Sequence, residues 1–522
     1  MPRLLREAGV TWLRSQVIDE APTGAPFHPA GGEQAAADET SVAAPADPEE
    51  GFRFSTVHDY ARAYRENVIS PEEVAGRVLS AIEASNAASP PLRAVIAMDR
   101  DDLLRQAEAA TRRIRSGCPL GEFDGVPVAV KDELDMVPFP TTGGTAFLGR
   151  HPATADATVV ARLRAAGALL IGKTNMHEIG IGVTGLNPIH GTPRNPYATS
   201  RHTGGSSSGS ATAVAAGLCP MAVGADGGGS IRIPAALCGM VGLKPTYGRV
   251  SEYGALPLCW SVAHIGPIGA TVADAALGYA VMAGPDPKDP GSLHQPPPVL
   301  TDWGRRDLHG VTLGVFWPWF QDAEAEIVVA CEVMLDQLRD QGARIREIVI
   351  PDLEAARVAH AVTICSEMAQ AMSGTYAQHH RQHSQDTRIN LRIARALTAL
   401  DYIQAQRVRT RLIANFRRVF AEVDAIITPT TAIVAPPIPG GSLASEASDL
   451  ATASALMRFV TPANLSGFPA ISFPAGFTAG GLPIGMQAIG RAWEEALLLR
   501  LARAAESFVQ RPAPGCHFRI LP

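Results

Sequence analysis

The chain has 522 residues, of which 45 are Lys or Arg and 51 are Asp or Glu, so its formal net charge is −6. With 49 Gly, 41 Pro and only 18% charged residues, the composition excludes a collagen, a coiled coil and a wholly disordered chain. The acidic balance leaves no overall basic field, so we do not expect nucleic acid as a partner.

The N-terminal 50 residues differ in character from the rest of the chain. Residues 1–19 predict a short amphipathic helix with apolar side chains on one side: Leu4, Leu5, Ala8, Trp12 and Leu13. This helix either packs on its own protein, touches a membrane peripherally or contacts a second subunit. Residues 20–50 consist largely of Ala, Pro, Gly and acidic residues, a composition that predicts a flexible linker.

The seven cysteines are scattered without C-x-x-C spacing, which argues against a disulfide framework and against a zinc cluster. A reducing compartment such as the cytoplasm suits them best. No stretch reaches the 18 or more apolar residues that a membrane span needs, so we predict at most a peripheral membrane contact.

From residue 51 onward the pattern predicts a single α/β domain. Helices are expected within 56–87, where Ser70 can cap and Pro71 suits the first turn, and over 101–116. Between 320 and 422 a mainly helical insertion is expected, with a long helix over 396–422. Short apolar runs closed by Gly, Pro or Thr predict buried strands at 126–130, 168–171, 221–223, 311–316, 345–350, 425–427, 470–473 and 484–488. Strands of this kind predict a large, mostly buried sheet covered by helices on both faces.

Three motifs match known functional patterns, but the residues around them do not fit those functions. Residues 167–174 match the phosphate-loop pattern, but the four central residues are apolar and read as a strand. Residues 205–209 match a G-x-S-x-G nucleophile elbow around Ser207, but a polar loop precedes them where the elbow needs a strand. His379 and His383 have metal-ligand spacing, but together with His380 they lie in a polar stretch that predicts a solvated surface, and we expect no metal and no cofactor.

Chemistry is concentrated in three other segments: 128–132 (Val-Ala-Val-Lys-Asp), 203–211 (Thr-Gly-Gly-Ser-Ser-Ser-Gly-Ser-Ala) and 224–234 (Gly-Ala-Asp-Gly-Gly-Gly-Ser-Ile-Arg-Ile-Pro). Lys131 ends an apolar strand, where loss of water disfavours the ammonium form, so its neutral amine could act as a base; alternatively it pairs with Asp132. The run Gly227, Gly228 and Gly229 lets successive N–H groups approach one oxygen, as in an oxyanion hole, although a plain strand-to-helix turn is an alternative.

Together the three segments resemble the amidase signature family, with Ser230 at 24 residues after Ser206 and at 99 after Lys131. The resemblance implies an amide hydrolase with a Ser-cisSer-Lys triad. Ser230 would be the nucleophile that forms an acyl-enzyme, Lys131 the distal base and Ser206 the relay, reached through a cis peptide bond after Gly205. Gly227, Gly228, Gly229 and Ser230 would supply the oxyanion hole. Asp226 and Arg232 would brace the loop.

Within that family the sequence looks closest to the plant-type branch of fatty acid amide hydrolases, from residues 140–145, 172–180, 226–230, 401–403, 428–431 and 456–460. This resemblance implies a small-molecule amide such as an N-acylethanolamine, and a homodimer by analogy. Met457 and Phe459 could line an acyl channel or belong to the ordinary core. Three alternatives remain open: an amidase for aryl or short-chain amides or carbamates, a glutamine-hydrolysing amidotransferase subunit, and an inactive scaffold or binding protein.

Overall fold

The computed structural model describes residues 2–29, 52–440 and 448–522. Its centre is a mixed sheet built from β1 Val95–Ala97, β2 Pro127–Lys131, β3 Leu169–Thr174, β4 Met221–Ala225, β5 Val241–Lys244, β6 Ile265–Gly269, β7 Thr312–Val315, β8 Arg344–Glu347, β9 Ala425–Pro429, β10 Ala470–Phe477 and β11 Pro483–Gly490. Across the sheet the strands lie in the order β1-β3-β2-β4-β6-β5-β10-β11-β9-β7-β8.

Helices surround the sheet. Those that precede β7 are α1 Pro2–Glu7, α2 Val10–Ser15, α3 Val57–Arg65, α4 Pro71–Ala87, α5 Arg100–Arg115, α6 Thr158–Ala165, α7 Ser208–Ala215, α8 Arg232–Leu237 and α9 Val272–Met282. Those that follow are α10 Trp317–Phe320, α11 Ala325–Asp340, α12 Leu353–Ala371, α13 Ser373–His379, α14 Gln385–Ala394, α15 Ala399–Phe420, α16 Leu450–Leu456, α17 Thr461–Ser466 and α18 Glu495–Glu506.

Successive residues of the central strands enter different cores, as a pleated strand requires. In β9, Ala425 and Ile427 pack with α9, α11 and α18, whereas Ile426 packs with α12 and α15. In β10, Ile471 joins the first of these cores and Ala470 the second. Helices therefore cover both faces of the sheet, which confirms the predicted fold class.

The predicted cap of α4 is present as a full capping box. Ser70 Oγ accepts from the N–H of Glu73, and the Glu73 carboxylate accepts from the N–H of Ser70. The strand prediction was less complete. It missed β1, β5 and β6, and it placed a buried strand at 345–350, where β8 is an edge strand with three exposed residues out of four.

The N-terminal segment is bound to the domain for most of its described length. Gly9, with a φ of +82°, separates α1 from α2, so the predicted single helix is two short ones. Leu5 and Leu13 are buried against the core. Residues 20–24 are not a free linker, because Arg407 donates to the Glu20 carbonyl at 2.7 Å and other side chains of α15 bond to Thr23 and Gly24. Residues 30–50 of the predicted linker lie outside the described residues.

Candidate active site

Two neighbouring parallel strands, β2 and β4, end at the same edge of the sheet, and the segments of the predicted site lie at their ends. Lys131 is the last residue of β2 and Ala225 is the last residue of β4, and these two strands pair in parallel register. Because the carboxyl ends of parallel strands meet at one edge, the loops after β2 and β4 converge there. The Lys131 amine is buried at this edge and donates to the Ala225 carbonyl at 3.2 Å.

Ser206 is the residue that the triad prediction places next to Lys131. Lys131 Nζ donates to Ser206 Oγ at 2.8 Å. The Gly205–Ser206 peptide bond is cis, as the family resemblance implies. A Cβ at Gly205 would lie 2.8 Å from the backbone nitrogen of Gly185, so only glycine fits at this position without a shift of the backbone.

Ser230 lies in the loop between β4 and α8, beside the segment that holds Ser206. The N–H of Ser207 donates to the Ser230 carbonyl at 3.2 Å, and Ser207 Oγ donates to the Ala225 carbonyl at 3.1 Å. Ser207 therefore has a structural role in joining the two loops, and the loop that precedes it does not form the strand of a nucleophile elbow. The structure brings Lys131, Ser206 and the Ser230 loop together at the same edge.

A buried ion pair fixes the shape of the Ser230 loop. Asp226 accepts from Arg232 Nε at 3.0 Å and from the N–H of Ile231 at 3.1 Å. The Arg232 guanidinium also donates to Asn464 and Gln487, each at 2.6 Å. Burial alone would raise the pKa of Asp226, but the neighbouring Arg232 outweighs it and holds this pKa well below its ordinary value. Asp226 is thus bonded both to Arg232 and to the backbone of the loop.

One member of the predicted oxyanion hole is already engaged. The N–H of Gly229 donates to Asp226 Oδ1 at 2.6 Å. It cannot donate a second good hydrogen bond to a substrate oxygen from the same position. Of the four amides in the sequence prediction, those of Gly227, Gly228 and Ser230 are left as the candidate donors.

The charge partner of Lys131 is not the residue that the sequence suggests. Asp132 pairs with Lys173, 3.3 Å away. Lys131 pairs instead with Glu133, whose Oε2 lies 2.7 Å from the amine. Lys173 itself is buried at the end of β3 and donates to the Leu134 carbonyl at 2.6 Å, so the segment that matches a phosphate loop is a buried strand, as predicted.

An apolar wall lies beside Ser206. A Cβ at Gly180 would be 3.5 Å from Ser206 Oγ and 3.9 Å from both Leu258 Cδ1 and Met368 Cε. Met368 belongs to α12, and so does Ile364, whose Cδ1 would lie 3.3 Å from a Cβ at Gly227. These apolar groups are part of one cluster. The sequence does not connect them with the site, because Ile364 and Met368 lie far along the chain in the helical insertion.

The two predicted substrate contacts separate in the structure. Met457 lies at the site, because its Cε would be 3.2 Å from a Cβ at Gly228. Phe459 does not, because its side chain is fully buried in the core behind α12 and packs on Trp319 with a ring-centroid distance of 5.7 Å. Phe459 is therefore a core residue.

The histidines of the insertion are not a solvated face. His383 is buried and its Nδ1 lies 2.7 Å from Glu178 Oε1. The ring of His379 stacks on Phe147 at a centroid distance of 4.5 Å. The pairing partner of His383 is 205 residues away along the chain, which is why the polar neighbours in the sequence suggested exposure. In the described ranges no group of three or more His, Cys, Asp or Glu side chains is placed to hold a metal ion.

Comparisons with known proteins identify the family of the chain. The sequence profile of the Amidase family matches residues 77–499. The chain belongs to the amidase signature family. A fatty acid amide hydrolase of Arabidopsis thaliana is 44% identical to this amidase over 469 residues, which cover 88% of the chain and 77% of the relative. The enzyme is thus an amide hydrolase.

Two further relatives mark the breadth of the family. A glutamyl-tRNA(Gln) amidotransferase subunit from Chloroflexus aggregans is 39% identical over 446 residues, covering 80% of the chain and 90% of the relative. The solved structure of the native peptide amidase from Stenotrophomonas maltophilia superposes with a TM-score of 0.77 at 30% identity, covering 89% of this chain and 98% of that one. The peptide amidase therefore shares the fold of this chain.

Proposed function

We propose that this amidase hydrolyses fatty acid amides, with N-acylethanolamines as the substrate class, through Lys131, Ser206 and Ser230. The observation that carries the proposal is the surroundings of Ser206. Its Oγ accepts from Lys131 at 2.8 Å, and the apolar Leu258 and Met368 lie close by, across Gly180. A proton relay next to an apolar wall suits an acyl chain whose carbonyl must reach a nucleophile.

In the proposed reaction, the Ser230 hydroxyl transfers its proton to Ser206 while the Ser206 proton passes to the neutral amine of Lys131. The Ser230 oxygen forms a bond to the amide carbon, and the negative charge that develops on the carbonyl oxygen is stabilised by the amides of Gly227, Gly228 and Ser230. The C–N bond then breaks as the proton returns through Ser206 to the departing nitrogen. Water hydrolyses the acyl-enzyme by the same relay.

The test is steady-state hydrolysis of ethanolamides with acyl chains from two carbons to long chains, with acetanilide alongside. We expect kcat/KM to rise with chain length, because each buried CH₂ contributes up to about 0.8 kcal/mol. Ser230→Ala and Lys131→Ala should abolish turnover, and a fluorophosphonate probe should label the parent chain at Ser230. Preference for acetanilide or for short amides would leave the triad and overturn the fatty acyl substrate.

A second candidate is glutamine hydrolysis within an amidotransferase assembly, because one relative carries that name. Such an enzyme needs a pocket that reads the charged ends of glutamine, whereas the wall beside Ser206 is apolar. Ammonia release from glutamine by the isolated chain, at a rate above that with the ethanolamides, would favour this alternative. An inactive scaffold would give no label at Ser230.

A peripheral membrane contact is part of the proposal. Leu4, Trp12 and Ile389 are each about two-fifths exposed. A surface groove lined by Leu4, Ile389 and two arginines, Arg388 and Arg392, lies between α1 and α14. Apolar and cationic side chains together favour an anionic bilayer surface. Among the described helices none is long and apolar enough to cross a membrane.

Flotation with vesicles that contain phosphatidylserine tests this contact. Trp12→Glu should reduce the bound fraction, whereas a salt-insensitive dimer in sedimentation would indicate that the groove faces a second copy. The homodimer stays a prediction.

A further inference from the structure

A histidine from the helical insertion contacts the catalytic loop and has no role in the triad. His360 lies on α12, is 1% exposed, and its Nε2 is 2.8 Å from the carbonyl oxygen of Gly227. Because a carbonyl oxygen only accepts, Nε2 must carry the proton. Burial lowers the pKa of His360 to about 4, so the ring is neutral near neutral pH and donates one hydrogen bond to this carbonyl.

This hydrogen bond fixes the direction of a neighbouring amide. The carbonyl of Gly227 and the N–H of Gly228 belong to the same peptide group, which is planar and trans, so the two bonds point in opposite directions. A ring that holds the carbonyl oxygen on one side therefore directs the Gly228 N–H to the other side. Gly228 is one of the three candidate oxyanion donors that remain after Gly229 is assigned to Asp226.

The packing around the peptide restricts its rotation. A Cβ at Gly228 would lie 2.9 Å from His360 Cε1. A Cβ at Gly227 would lie 3.3 Å from Cδ1 of Ile364, which follows His360 by one helical turn, and 2.8 Å from Cys259 Sγ. Without such contacts a peptide group between two glycines can adopt many orientations, because glycine lacks a Cβ. The same face of α12 thus contacts both glycines.

We propose that His360 is a positioning residue, which holds the Gly227–Gly228 peptide so that the Gly228 N–H faces the developing oxyanion. The inference rests on the proposed function, since it needs Ser230 as the nucleophile. It assigns to α12 a part in the chemistry as well as in the acyl wall. His360 acts only through the peptide and does not exchange protons with substrate.

The experiment compares His360→Gln, which keeps a side-chain N–H donor, with His360→Met, which has similar length and no donor. The matched control is His28→Met, because His28 is also buried and its Nε2 also lies 2.8 Å from a backbone carbonyl, that of Ser466. The readouts are kcat, KM, the melting temperature and the affinity for an acyl trifluoromethyl ketone, which mimics the tetrahedral intermediate.

For His360→Met we expect kcat to fall by about a hundredfold, within the range for loss of one oxyanion donor, with KM nearly unchanged. Affinity for the ketone should fall by a similar factor, and His360→Gln should recover at least about tenfold of the loss in kcat. His28→Met should change only the melting temperature. If His360→Met does not fold, His360→Leu replaces it as the variant without a donor.

Equal kcat values in the variants with and without a donor would overturn the inference, as would a loss confined to KM or to the melting temperature. The proposed function fails separately: turnover by Ser230→Ala would remove the nucleophile assignment itself. An inactive Ser230→Ala together with an unimpaired His360→Met would refute only the role of His360.

Discussion

Replacement of Asp226 by Asn would leave a buried cation without its counter-ion. Asp226 Oδ1 and Oδ2 accept from Arg232 at 3.1 and 3.0 Å, and Oδ1 also accepts from the N–H of Gly229 at 2.6 Å. Asn has one acceptor oxygen and one amide group, so at least one of these donors would face an N–H₂ group. Arg232 is fully buried, and its charge would lose its only partner at ion-pair distance among the described residues.

The size of the effect follows from this geometry. Removal of one member of a buried ion pair costs about 3–5 kcal/mol of unfolding free energy. If the chain unfolds as one unit, an entropy of about 2.1 cal/mol/K per residue gives about 1.1 kcal/mol/K, so the melting temperature should fall by about 3–5 °C. Activity should fall more steeply, because the same carboxylate sets the loop that carries Ser230.

A double-mutant cycle with Arg232→Met provides the decisive assay. Each single variant strands a buried charge, whereas Asp226→Asn with Arg232→Met removes both. The double variant should therefore be less destabilised than the sum of the two single variants by at least about 1 kcal/mol. Melting by differential scanning calorimetry gives the three values. Additive losses would refute the reasoning that the pair is coupled.

The same pair predicts a dependence on pH. The pKa of Asp226 is depressed in the folded state. Its contribution to stability is therefore fully present above the ordinary carboxyl range and is lost as the pH falls below about 4. Asp226→Asn should remove this part of the acid sensitivity, so its melting temperature should approach that of the parent chain as the pH is lowered.

Three further outcomes are expected. Glu133→Gln removes the carboxylate 2.7 Å from the buried Lys131 amine, and loss of one partner of a buried ion pair should cost about 3–5 kcal/mol of unfolding free energy, seen as a lower melting temperature; an unchanged melting temperature would contradict this. Ile364→Trp places a larger side chain in the proposed acyl wall, so kcat/KM for long ethanolamides should fall about tenfold relative to acetyl ethanolamide. Equal losses for both substrates would contradict contact between this wall and the acyl chain. Gly229→Ala should abolish activity and lower the melting temperature, because Gly229 has a φ of +105° and an added Cβ would lie 2.5 Å from Val460 Cγ2; an active variant would show that the loop can relax.

The strands that consist of continuous apolar residues could be predicted from the sequence. The core strands β2, β3 and β4 follow such runs. β5 and β6 were missed because Val-Gly-Leu-Lys and Ile-Gly-Pro-Ile-Gly carry residues that usually close a strand. They are held in the sheet by neighbours on both sides, an effect of tertiary pairing that local pattern does not contain.

The candidate site divides in the same way. Lys131, Ser206 and Ser230 lie in short motifs whose composition is unusual, so they could be named from the sequence. Glu133 could have been found as well, because it follows Lys131 by two residues. His360 and Met368 could not, since nothing in a helical pattern tells which buried face meets a loop more than 100 residues earlier.

The placement of α12 has a consequence for engineering the enzyme. The proposed triad and oxyanion loop are encoded within residues 131–230, whereas much of the proposed acyl wall comes from the insertion. An exchange of the insertion between relatives is therefore an obvious design for transferring selectivity alone. His360 makes such a graft incomplete, because the donor helix must also bring a side chain that reaches the Gly227 carbonyl. A chimera that retains a histidine at this position should keep its turnover while its preferred chain length changes.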